Sequence, residues 1–175
     1  MMESPWLKIP LADYEAHMAA PNIDQASLLA DVFSTLLRRF QPASVAVIGC
    51  AGGNGFEHID PHMTTRVVTV DINPEYLEAT ARRHSAGCGN LTLLNADIAG
   101  MELPVEPVDL FYTALPSILQ LAPLMRLVDP PDLAQVARGV GFALLEFTRV
   151  TSRAGKDFAI QIYRRPSGSV VNPWQ

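Results

Sequence analysis

Two kinds of apolar pattern alternate along the chain. In one, side chains recur three and four residues apart. Leu28, Leu29, Val32, Phe33, Leu36, Leu37 and Phe40 mark one face of a helix that Asp24 opens as an N-cap and Gln41-Pro42 closes. PLADYEAHMAA, residues 10–20, predicts a shorter helix stopped by Pro21. Asn73, Pro74 and Glu75 open a third as cap, first-turn residue and acidic partner of the helix dipole, and Gly87 follows its end. Pro131 and Asp132 open a fourth, carrying Leu133, Val136, Ala137 and Val140, with Gly139 and Gly141 near its end. In the other pattern, short β-branched runs are apolar on both faces: SVAVI at Ser44–Ile48 and RVVTV at 66–70, the latter ending at Asp71. Such strands belong to parallel sheets covered by helices on each side. Residues 91–94 and 108–114 (VDLFYTA) predict two more, and 143–150 and 157–163 flank the turn SRAGK as an antiparallel hairpin.

Strands alternating with helices predict an α/β domain with a doubly wound, mostly parallel sheet in three layers. The closing hairpin would add an antiparallel strand. The 175 residues suit one domain, 1–175, in which 1–42 supply the N-terminal helices. Composition changes this picture little. With 49% apolar and 18% charged residues the chain is not a disordered one. A net charge of −5 and a pI near 5.3 argue against nucleic acid as the main partner. Cys50 and Cys88 are too few for a disulfide framework and are read as reduced thiols of a cytoplasmic protein. No Cys or His spacing points to a metal, and no window reaches the ~18 apolar residues that a membrane span needs. The N-terminus lacks the apolar core of a signal peptide.

The candidate chemistry lies where the strands end. In open α/β sheets, ligands bind outside the carboxyl ends of the strands. The first strand runs into CAGGNG, four glycines within residues 49–55. Such a turn is either a plain corner or a cradle. Glycines let the backbone approach a ligand, and the helix expected from Phe56 to Pro61 would aim free N–H groups at the site. The second strand delivers Asp71, 22 residues after Gly49, either as a cap of the next helix or as a bidentate acceptor for two ribose hydroxyls. The third delivers Asp97, whose carboxylate could accept from an exocyclic adenine amine. Ile72 and Ile98, each next in line, offer apolar faces to a flat base. Together, in order, the three features predict a nucleoside site. A dinucleotide fingerprint needs G-x-G-x-x-G, yet Gly49 is followed at the required positions by Ala51 and Asn54. No Gly-Lys-Ser/Thr completes a phosphate loop either.

VAVIGCAGGNG, VVTVDINPEYLEA, LLNADI and PVDLFYTAL, spanning about 44–115, resemble the class I S-adenosylmethionine-dependent methyltransferases, which have a Rossmann-like fold. The resemblance implies S-adenosylmethionine as cofactor. Gly49, Ala51 and Gly53 would lie against its methionine and ribose parts, with Asn54 nearby. It implies that Asp71 holds the ribose hydroxyls, Ile72 packs on adenine, Asp97 meets the adenine amine and the Ile98 backbone meets the ring edge. Tyr112, Thr113 and Ala114 would line the methyl-transfer pocket. The N-terminal helix with Tyr14, His17, Met18 and then Gln25 resembles the lid of many members, or is simply an amphipathic surface helix. No catalytic residue is assigned: the sulfonium is already activated, so alignment and desolvation supply most of the effect.

The chain departs from the family pattern in two places. Val47 stands where an acidic residue is common, and Ala51 where glycine is usual. Between strand four and the last helix only 115–128 remain, too few for a helix, a strand and their connections. A fifth strand and one helix are therefore expected to be missing or shortened. Either the hairpin pairs directly with strand four, or 118–121 form a stub of strand five, or the sequence omits part of the natural protein. A second copy of the chain could cover the opened side. Tyr112-Thr113-Ala114-Leu115 lacks the Asn/Asp-Pro-Pro-aromatic run of enzymes that methylate amino groups of bases or glutamine, so a small-molecule acceptor is the expectation. The alternatives are a non-catalytic S-adenosylmethionine-binding protein on the same scaffold and, third, a nicotinamide-dependent oxidoreductase.

Overall fold

The apolar runs become strands and the three-and-four spacings become helices. The computed structural model describes residues 4–97, 106–113, 143–151, 153, 155 and 157–164, and for 143–150 and 157–164 the backbone alone. Along the chain it places a 3₁₀ turn at Pro5–Lys8, α1 (Leu11–Ala19), α2 (Gln25–Phe40), β1 (Ser44–Ile48) and a 3₁₀ turn at Phe56–His58. Then come β2 (Arg66–Asp71), α3 (Pro74–His84), β3 (Asn90–Asn95), β4 (Leu110–Thr113), β5 (Ala143–Thr151) and β6 (Asp157–Arg164). The sheet order is β3-β2-β1-β4-β6-β5. β3, β2, β1 and β4 are parallel, in register at Val45↔Val67, Val45↔Leu110 and Val67↔Leu91. β6 runs antiparallel beside β4, paired at Phe111↔Tyr163, and β5 pairs antiparallel with β6. The fifth-strand stub expected at 118–121 and the helix opening at Pro131 lie outside the described residues.

Alternation along the strands divides the core in two. Val45, Val47, Val67, Leu110 and Tyr112 join Phe33, Leu36 and Leu37 of α2 and Leu77 of α3 on one face. Ala46, Ile48, Val68, Val70 and Phe111 share the other. Phe33 is fully buried and stacks on Tyr112 at a centroid distance of 4.7 Å, while the Tyr112 hydroxyl donates to the Leu29 carbonyl at 3.1 Å. Truncating such an aromatic typically costs ~3–5 kcal/mol, so this contact is a main anchor of α2 on the sheet. Tyr112 thus serves the core beneath α2.

Two local expectations are corrected. Asp24 precedes α2 but does not cap it: its N–H donates to the Ala20 carbonyl at 2.8 Å in the tight turn leaving α1, which sets a left-handed φ of 49°. Capping needs an extended backbone. The Asp24 carboxylate instead accepts from Ser27 Oγ at 2.9 Å. After the glycine turn, the helix expected at 56–60 shrinks to one 3₁₀ turn. Gly55 enters it at φ 87°, and Pro61 disfavours helical geometry at the residue before it. β3 is the edge of the sheet, with Leu93 37% exposed. The cap of α3 is as expected: Asn73 Oδ1 accepts from the Glu75 N–H at 3.0 Å.

Candidate functional site

The strand order reverses between β1 and β4, and the carboxyl ends of β1, β2, β3 and β4 deliver Gly49, Asp71, Asn95 and Thr113 to one edge of the sheet. Gly49 adopts φ 72° and donates its N–H to the Val70 carbonyl at 2.8 Å, which ties the start of the glycine turn to β2. The chain then doubles back through Ala51, whose φ is 43°, and the Ala51 N–H donates to Asp71 Oδ2 at 3.2 Å. The Asn73 N–H donates to Asp71 Oδ1 at 2.9 Å. Gly49, Ala51 and Asp71 therefore form one hydrogen-bonded unit.

Asp71 is 8% exposed and no Lys or Arg among the described residues pairs with it. Burial raises its pKa from the ordinary carboxylate value, and hydrogen bonding, chiefly from the Asn73 and Ala51 N–H groups, opposes that rise. A carboxylate has about four acceptor positions, so each Asp71 oxygen, holding one backbone N–H, retains room for another donor. That is the donor set a ribose diol supplies, and the residues present fit it. Burial and the Asp71 charge also push the neighbouring Cys50 thiol up to about 11, so it stays protonated at neutral pH.

Asn95, at the end of β3, carries no prior expectation and belongs to the same edge. Its side-chain amide donates to the carbonyls of Asp71 at 3.0 Å and Ile72 at 2.8 Å, clamping the corner that presents the carboxylate. A polar residue closing a buried-type strand beside Asp71 was the available signal. Ile72 is half-buried at this corner, and Asp97 stands exposed two residues beyond β3. Ile98 lies outside the described residues. Thr113 closes β4 opposite Ile48, and its Oγ1 is buried with no hydrogen-bond partner among the described residues. Such an orphaned hydroxyl at the strand ends is open to a ligand's polar group.

Two expected cofactor residues also have close protein neighbours. Gly53 has φ 86°, and a Cβ there would stand 2.6 Å from His84 Cδ2, so its glycine answers to the packing of α3. Asn54 is exposed and its Nδ2 donates to the Ala26 carbonyl at 2.9 Å, fastening the turn to α2. No helix of eight residues or more starts behind the turn, so the expected array of helix N–H groups is absent from this position. Tyr14 reaches the site from α1: its ring packs on Tyr76 at 5.9 Å, and it joins Ala51 against the cluster of Leu11, Tyr76 and Ala79. Burial, with the Tyr76 and Asp71 charges adding, raises its pKa. His17 is exposed on the same helix, while Met18 and Gln25 are buried. Among the described residues no group of His, Cys, Asp or Glu could hold a metal, and no helix is long and apolar enough to cross a membrane.

Comparison with known proteins agrees with this arrangement. The crystal structure of N-methyltransferase NodS from Bradyrhizobium japonicum WM9, in complex with S-adenosyl-L-homocysteine, matches with a TM-score of 0.61 at 16% identity. The match covers 92% of this chain and 97% of that one. Magnesium protoporphyrin IX methyltransferase (ChlM) from Synechocystis PCC 6803, with bound S-adenosylmethionine, matches with a TM-score of 0.51 at 15% identity, covering 78% of each chain. At these identities the likeness is one of fold. No curated protein matches the chain. A family model described as a methyltransferase domain matches residues 45–140. The chain belongs to that family, the S-adenosylmethionine-dependent methyltransferases of class I with a Rossmann-like fold.

Proposed function

We propose that this protein transfers a methyl group from S-adenosylmethionine to a small-molecule acceptor. The observation that carries the reading is Asp71: a buried carboxylate at the end of β2, held by backbone donors, without a cationic partner among the described residues, and joined to the glycine turn through Ala51. S-adenosylmethionine, when bound, supplies an electrophilic methyl group on a sulfonium. The chain's own residues bind, orient and dry the site. Asp71 would accept the ribose hydroxyls, Ile72 would cover the base, and Asp97 with the Ile98 backbone would meet its edge. Gly49 and Ala51, with Gly53 and Asn54 behind them, would form the floor. Thr113 Oγ1 is placed to bond the methionine side or the acceptor, and Tyr14 closes the site against water. Excluding water strengthens each of these polar contacts. We assign no general acid or base. A small acceptor accords with the absence of an Asn/Asp-Pro-Pro-aromatic run at 112–115. The reading includes a cytoplasmic location, in keeping with two free buried thiols.

One observation favours a second reading, a non-catalytic S-adenosylmethionine-binding protein. β6 is the direct neighbour of β4, which shortens the acceptor side of the sheet and could leave it for a second copy to cover. Incubation with methyl-tritiated S-adenosylmethionine and a panel of small amines, phenols and carboxylates separates the two. Label transferred to an acceptor, and lost in Asp71→Ala, supports the enzyme. Tight cofactor binding with no transfer across the panel supports the scaffold.

A further inference from the structure

Residues 4–19 lie across the site as a strap, made of the 3₁₀ turn at Pro5–Lys8 and α1. Among the described residues, side chains of Tyr76, Arg83 and Asn73 fix the strap to the body. The Tyr76 hydroxyl donates to the Ile9 carbonyl at 3.0 Å. Arg83 pairs with Glu15 and its Nη1 also donates to the Gly52 carbonyl at 3.3 Å. Asn73 Nδ2 donates to the Trp6 carbonyl at 3.0 Å. Between these points Leu11 and Tyr14 pack with Tyr76, Ala79 and Ala51, and Trp6 meets Tyr14 edge-on at 6.1 Å.

Asn73 differs from the other two fasteners. It is 3% exposed, and its N–H, its Oδ1 and its Nδ2 are each engaged on a different element. Its N–H fixes Asp71 Oδ1, its Oδ1 caps α3, and its Nδ2 holds the strap. As a helix cap, Asp or Ser would serve equally well. Asparagine differs in carrying an amide donor separate from its capping oxygen, and the Trp6 carbonyl accepts from it. We infer that Asn73 is a positioning residue that latches the strap over the Asp71 corner, and that ligand exchange at Asp71 requires this latch to open. The inference rests on the proposed function only for the choice of ligand in the second arm of its test.

Asn73→Asp keeps the oxygen that caps α3 and replaces the donor to Trp6 by a second acceptor. Asn73→Ser keeps a cap without placing a charge near Asp71, and decides the matter if the Asp variant does not fold. The first arm uses no ligand: native-state trypsin cleavage after Lys8, followed by mass spectrometry. A lost buried hydrogen bond opens the strap about tenfold more often, so cleavage after Lys8 rises by about that factor in both variants. Cleavage after Arg38 in α2 stays at the wild-type rate, which separates local release from general destabilisation. The second arm measures the dissociation rate of S-adenosylhomocysteine from the preformed complex, expected to rise about tenfold with the association rate little changed. Equal cleavage after Lys8 in wild type and both variants overturns the latch. Faster cleavage with unchanged dissociation overturns its control of exchange. Failure of the wild type to bind S-adenosylhomocysteine would refute the ligand assignment, and the trypsin arm would still decide on the latch.

Discussion

Gly53 tests whether the glycine turn is shaped by its neighbours in the fold. Gly53→Ala places a Cβ at φ 86°, 2.6 Å from His84 Cδ2, 2.9 Å from His84 Nε2 and 3.3 Å from Thr80 Cγ2. The left-handed backbone alone costs a non-glycine residue about 1 kcal/mol. Overpacking adds about 1–3 kcal/mol. The imidazole cannot swing away freely, because its other side meets the Phe56 ring at a centroid distance of 5.5 Å. The sum, about 2–4 kcal/mol, corresponds to a fall in Tm of about 5–15 °C for a chain of this size. Gly155→Ala is the control: φ is 75° and no atom of the described residues lies within 4 Å, so the backbone cost is the one expected, a fall of about 2–4 °C. Thermal unfolding followed by circular dichroism reads both. Adding His84→Ala should recover part of the Gly53→Ala cost, a coupling of about 1–2 kcal/mol in the double-mutant cycle. Equal shifts for Gly53→Ala and Gly155→Ala, or no coupling to His84, would refute the assignment of this glycine to packing.

Asn95→Ala releases two carbonyls at the Asp71 corner, and should weaken S-adenosylhomocysteine binding about three- to tenfold by calorimetry while costing about 1 kcal/mol of stability. Tyr112→Phe keeps the ring stacked on Phe33 and loses the bond to Leu29. A loss of about 1 kcal/mol in urea unfolding with unchanged ligand affinity is expected, and a change in affinity would place Tyr112 in the pocket after all. Cys50, raised from 9.0 to about 11, keeps its proton in the folded chain at pH values where the unfolded chain loses it. The unfolded state then binds fewer protons, so this group's contribution makes stability fall as pH rises from 9 to about 11. At pH 8 the native thiol should resist alkylation that proceeds readily in denaturant, as judged by mass spectrometry; rapid native alkylation would contradict its burial.

Most of the sheet could be read before folding because 45–48 of β1 and 67–70 of β2 are made of Val, Ile and Ala with Thr69 alone among them, a composition that only a doubly covered strand tolerates. Asn73-Pro74-Glu75 marks α3 because each residue acts within one turn of chain. What could not be read depends on distant partners. Asp24 has the composition of a cap, yet the turn that binds its N–H to Ala20 sets its backbone elsewhere. LTLL reads as a strand, and only the order of the whole sheet puts it at an edge. The glycines look alike in sequence, but Gly53 is required by His84 and Gly55 by Ala30 and Phe33. Asp71 was legible as a candidate, while its supports, Asn95 and the Ala51 N–H, come from segments 24 and 20 residues away in sequence.

The account turns on Asp71 as the acceptor of a nucleoside diol. Isothermal titration with S-adenosylhomocysteine, run beside NAD and repeated on Asp71→Ala, tests this most directly. The fold of the variant would be verified by circular dichroism. Removing a charged acceptor of two hydroxyls should cost about 3 kcal/mol, or about a hundredfold in Kd. Micromolar binding to the wild type, about a hundredfold weaker in the variant, with no heat from NAD, is the predicted result. Unchanged affinity in Asp71→Ala, or tight binding of NAD, would contradict it.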